Sequence, residues 1–66
     1  MEQLKQTYLY LEAYHALWRY PPTIETIRKA LGITHGQAHY RLEKMEQLGW
    51  IVRDGRKQSI VLKGMG

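Results

Sequence analysis

The chain has 66 residues, 44% of them apolar, no cysteine and a formal net charge of +4. A domain of that size buries only about 60% of the surface its unfolded chain exposes, and it is too short to enclose a substrate pocket of several hundred cubic ångströms. Without cysteine it has neither disulfide nor thiolate–metal staples, and no apolar run approaches the roughly 20 residues of a membrane-spanning helix.

The opening residues lack the pattern of a secretory signal, so a soluble cytoplasmic protein is expected. The chemistry of catalysis is thin: Ser59 is the only serine, Asp54 the only aspartate, and no glycine-rich phosphate loop is present. The expectation is a protein that is not an enzyme and holds no cofactor.

Residues 3–19 read as a first helix. Leu4, Tyr8, Leu11, His15 and Trp18 form one stripe at helical spacing, which predicts a core face with His15 as a core histidine and Trp18 in core or interface packing. Leu9, Ala13, Ala16, Leu17 and Tyr20 fall on the opposite side, and the charged strip of Lys5, Glu12 and Arg19 is narrow. A surface helix that is apolar nearly all round has something packed on both sides. The second side is either a homodimer surface or a set of small and aromatic residues tolerated by solvent.

Pro21 and Pro22 end that helix, since proline disfavours helical geometry in the residue before it. Thr23 is then a good N-cap for a second helix over 24–31, with Ile24, Ile27 and Leu31 on one face. Gly32 stands where a helix stop needs a positive φ. Thr34 and Gln37 match a capping box, so a third helix begins almost at once and runs over 35–48. Its inward residues are Ala38, Leu42, Met45 and Leu48, and Gly49 stops it. His35, Gly36, Gln37, His39 and Tyr40 remain exposed on its first two turns, a set of groups that donate and accept hydrogen bonds beside a glycine that lets a partner come close.

After Gly49 the period changes to two. Trp50–Arg53 and Ser59–Leu62 flank an Asp-Gly turn signal, giving a hairpin over about 50–63 with Ile51, Ile60 and Leu62 inward, Trp50 in packing, and Val52 and Val61 paired outside. Arg53, Arg56 and Lys57 make its tip basic. Charge is uneven along the chain: residues 1–33 hold four cations against three carboxylates, residues 34–66 six against three. The surplus lies in and after the third helix and favours a polyanionic partner.

Three helices followed by a basic hairpin is a mainly α fold with a small β-hairpin, the order of a three-helix winged helix-turn-helix. The stretch from Tyr20 to Ile33, the helix end from Leu42 to Ile51 and the hairpin together resemble the N-terminal DNA-binding domain of LexA-type repressors. The resemblance covers nearly the whole chain, with the segment between Gly32 and Gly49 one residue shorter. The family's self-cleaving second domain with its Ser/Lys pair has no counterpart here, so self-cleavage is not implied. What the resemblance implies is a sequence-specific double-stranded DNA-binding transcriptional regulator, a nucleoid-associated repressor. Its base-reading positions fall on Thr34, Gly36, Gln37, His39 and Tyr40, with Gln37 suited to adenine by a bidentate amide contact. His35 stands exposed beside them, and Arg41 and Lys44 lie near the phosphate backbone. Thr23 and Thr34 start helices whose amides bind phosphate, and Arg53, Arg56 and Lys57 follow the backbone or the minor groove.

Two other readings stand beside this one. His35, His39 and Glu43 share a helix face at i, i+4 and i+8, although a closed metal site needs at least three ligands in the right geometry. The same fold also serves as a protein-interaction module, docking through the aromatic first helix.

Overall fold

A computed structural model of the chain describes residues 2–54 and 59–65. Helix α1 spans Glu2–Trp18, α2 Ile24–Leu31 and α3 His35–Gln47, followed by strands β1, Ile51–Asp54, and β2, Ser59–Leu62. The strands form one antiparallel ladder with Ile51 opposite Leu62, Val52 opposite Val61 and Arg53 opposite Ile60. The mainly helical layout with a small hairpin is therefore the one expected.

Each helix stops for a local reason. Gly32 adopts φ 65°, and the N–H groups of Gly32 and Ile33 both bond to the Arg28 carbonyl, closing the last turn of α2. Gly49 adopts φ 79° after α3; its N–H reaches the Glu46 carbonyl at 3.1 Å while Trp50 N–H reaches Met45 at 2.9 Å. That pair of bonds is a Schellman stop, and the buried Met45 and Trp50 supply its apolar contact. Helix α1 ends differently, at Arg19 with φ 66°, whose N–H bonds to the His15 carbonyl at 2.9 Å. This is the single-bond left-handed stop that glycine ordinarily fills. It ends α1 one residue earlier than the sequence pattern suggests, just ahead of Tyr20 and the two prolines.

The core is built from Leu4, Tyr8 and Leu11 of α1, Ile27 of α2, Ala38, Leu42 and Met45 of α3, and Trp50 and Ile51 at the entry to the hairpin. Ile24, Leu31, Ile33, Ile60 and Leu62 pack around its rim. Tyr8 and Trp50 meet edge to face at 6.2 Å, worth about 0.5–1.5 kcal/mol beyond the area they bury. Val52 and Val61 face outward as a cross-strand pair.

Three expectations change. His15 is exposed rather than a core histidine, and Trp18, on the same stripe, is 54% exposed and so lies outside the core. The reason is length: 17 residues at about 1.5 Å each make α1 roughly 25 Å long, whereas α2 and α3 have only 8 and 13 residues. The core beneath α1 ends at Leu11 and the last turns overhang it. Leu48 is likewise exposed: it caps α3 at the end of the helix, one turn past the buried Met45, the last core residue of α3.

One buried polar residue ties the helices together. Thr7 is fully buried. Its hydroxyl donates to the Gln3 carbonyl at 2.8 Å and accepts from Arg41 Nη1 at 3.1 Å. The hydrogen bonding of α1 and α3 thus meets on one oxygen.

Candidate nucleic-acid interface

Thr34 has extended backbone geometry (φ −78°, ψ 163°) and caps α3. Gln37 N–H donates to Thr34 Oγ1 at 3.1 Å, and Thr34 N–H donates to Gln37 Oε1 at 2.9 Å. Both halves of the capping box are made. Thr23 caps α2 with the forward bond alone, accepting from Thr26 N–H at 3.1 Å. Two helix N-termini thus open toward solvent with oriented amides, the geometry that suits an anion.

Beyond the cap, His35, Gly36, Gln37, His39 and Tyr40 are all exposed, Tyr40 at 60%. Ala38 between them is fully buried, so the polar face and the core face of α3 divide as its spacing requires. A Cβ built on Gly36 meets nothing within 4 Å, so its surface is open space. Gln37 points only its oxygen into the cap. Its Nε2 keeps both hydrogens for another acceptor, since among the described residues it has no partner.

An open groove of about 360 Å³ runs beside this face, lined by Gln3, Leu4, Gln37, Tyr40, Arg41 and Lys44. It brings the start of α1 against α3. Arg41 is held there by Thr7, so its charge is fixed in place rather than swinging in solvent. Gln3 was not among the residues singled out from sequence; only the packing of α1 on α3 puts it next to Gln37.

On the other flank, Glu25 binds Arg28 through two bonds, from Nε to Oε1 at 3.1 Å and from Nη2 to Oε2 at 2.9 Å. Hydrogen bonding from Arg28 holds the Glu25 carboxyl below its ordinary value, helped by the nearby charges of Arg28, Lys29 and His35 and opposed by partial desolvation. The same pairing raises Arg28. Glu25 Oε1 also lies 3.9 Å from His35 Nδ1, and the His35 and His39 rings sit 4.9 Å apart. Among the described residues no three histidine, aspartate or glutamate side chains are grouped to hold a metal. Glu25 and Arg28 were missing from the sequence reading, although their i, i+3 spacing is a recognisable pair signal.

The hairpin residues divide. Arg53 turns toward α3, where its Nη2 donates to Glu46 Oε1 at 3.1 Å and its backbone N–H to Oε2 at 3.4 Å. Its charge is committed to Glu46, which also covers an open N–H of the β1 edge. The expected contacts of Arg56 and Lys57 fall outside the described residues. No helix among the described residues is long and apolar enough to cross a membrane. Compared with known protein families the chain matches no family model, and it finds no significant match among curated proteins.

Proposed function

We propose that this chain is a sequence-specific double-stranded DNA-binding regulator of the winged helix-turn-helix type, inserting the first two turns of α3 into the major groove. The observation that carries this reading is the α3 face itself. Five consecutive-turn positions, His35, Gly36, Gln37, His39 and Tyr40, stand exposed on a helix whose start is fixed by a complete capping box. Side chains on a preformed helix reach base edges at little ordering cost.

The surroundings support it. Arg41 and Lys44 line a groove that suits a phosphate backbone, and the capped starts of α2 and α3 offer amides to the same polyanion. Gln37 uses its Nε2 hydrogens on a purine N7 or a carbonyl oxygen of a base, since its Oε1 already serves Thr34. The Glu25 carboxylate beside His35 is offset by its two bonds to Arg28, which lessens its repulsion of phosphate near the α3 start. The resemblance to LexA-type DNA-binding domains adds to this and is consistent with repression by occupying a promoter site. The protein is read as acting without catalysis and without a cofactor, inside the cytoplasm at the nucleoid.

Selection from a randomised duplex library at near-physiological salt tests the reading, followed by binding measured against salt. An enriched motif and a log–log salt slope near −4, from about four phosphate contacts, are the expected results. Retention without enrichment, at low salt only, would overturn sequence-specific recognition and leave the protein-interaction reading in its place.

A further inference from the structure

The outer face of α1 exposes a run of apolar side chains. Leu9 is 52% exposed and Leu17 72%, and Ala13 and Ala16 between them are exposed too. Leu9, Ala13 and Ala16 recur at spacings of four and three, so they line one seam on the side of α1 away from Leu4, Tyr8 and Leu11. Tyr10 and Leu17 lie along one edge of that seam. Glu12 lies along the other edge, and Arg19 follows at the end of the helix. Both charged residues are exposed and neither takes part in an ion pair among the described residues.

We propose that this face binds a second copy of the same chain, with the two α1 helices antiparallel about a twofold axis. The occupant follows from charge and register. In an antiparallel pair that sets Ala13 of one copy against Ala16 of the other, the same offset carries Glu12 toward Arg19 and Tyr10 toward Leu17, each contact occurring twice. A parallel pair would set the Glu12 edge of each copy against the Tyr10 and Leu17 edge of the other, charge against apolar surface. Only the antiparallel arrangement makes both flanks complementary, and it also opposes the two helix dipoles. The alanines let the backbones come close, so that Leu9 and Leu17 reach across the seam.

Area sets the strength. The two faces together hide on the order of 800 Å², below the roughly 1,200 Å² of a stable specific interface. The dimer is therefore weak and reversible, and most of the chain is monomeric at low concentration. The face belongs to α1 outside the α3 surface, so the inference stands or falls separately from the DNA reading.

Sedimentation equilibrium of the whole chain without DNA, up to about 1 mM, tests it. A monomer–dimer equilibrium with a Kd of roughly 10–500 μM is expected for so small an interface. Leu17→Glu should weaken association at least tenfold while leaving the circular dichroism of the monomer unchanged, because position 17 is outside the core. Glu12→Arg should weaken it about fivefold through two repelling pairs, and Glu12→Arg with Arg19→Glu should restore it. A strict monomer at 1 mM, or a dimer indifferent to Leu17→Glu, would overturn the proposal. A dimer that the double charge reversal does not restore would overturn its antiparallel form.

Discussion

Gln37 divides two jobs between the two ends of one amide. Its oxygen completes the start of α3 and its nitrogen faces solvent at the centre of the proposed recognition surface. Substitution separates them. Gln37→Glu keeps an acceptor in the capping box and should hold stability within about 0.5 kcal/mol, yet it removes the donor and adds a charge that phosphate repels. Gln37→Ala removes both and should cost about 0.5–1 kcal/mol, as lost caps do. Thermal unfolding beside DNA binding by fluorescence anisotropy gives the comparison: DNA binding should fall at least tenfold in both variants, with stability lost only in the alanine one. Equal binding by Gln37→Glu and the parent chain would remove Gln37 from the recognition surface. The capping role was readable from Thr34 and Gln37 alone because it is local. The end left available follows from the same box, since only the amide oxygen can accept from the Thr34 N–H and the NH2 is what remains.

At the scale of elements, the stops of the three helices can be ranked by strain. Gly32 and Gly49 occupy left-handed backbone at no steric cost, and both were recognisable as stops for that reason. Arg19 occupies the same region with a full side chain, which costs on the order of 1–2 kcal/mol. Nothing in the residue type announces it; the geometry is imposed by the chain's need to turn ahead of Pro21. Arg19→Gly should relieve that strain, less the extra freedom glycine has when unfolded, for a net gain of about 0.5–1 kcal/mol. In a domain this small that is a rise of roughly 3–6 °C in Tm, to be measured at concentrations where the chain is monomeric. No rise would mean that the left-handed turn is carried by contacts of the arginine itself. The helices and strands were legible because apolar periodicity and caps act over a few residues. The overhang of α1, the Thr7–Arg41 bond and the Arg53–Glu46 pair were not, since each depends on how far one element extends past another.

For the whole molecule, one core carries everything. At about 0.05–0.15 kcal/mol per residue, a chain of this length has roughly 3–10 kcal/mol of stability. Leu11 and Leu17 lie on the same helix, but Leu11 is 1% exposed and Leu17 largely open. Leu11→Ala should cost about 2–5 kcal/mol, a large part of the total and enough to populate unfolded chain near 37 °C. Leu17→Ala should stay within about 0.5 kcal/mol in the monomer. Urea denaturation of the two variants checks this, and similar losses at both positions would mean that the outer face of α1 is buried in the folded monomer.

On the proposed DNA reading, the joint between α3 and the hairpin limits how the recognition face can change. Trp50 bonds back to Met45 and accepts from Lys63 at 2.7 Å, so the foot of the hairpin is pinned to the end of α3 with no slack between them. One residue inserted early in α3 would swing everything after it, that joint included, by about 100° around the helix axis and pull Met45, Trp50 and Ile51 out of the core they share with α1 and α2. Insertions and deletions are closed to the helix itself, and the one-residue difference from the LexA-type pattern falls most simply at the turn before Thr34. New specificities have to be reached by exchanging side chains on a frame of constant span.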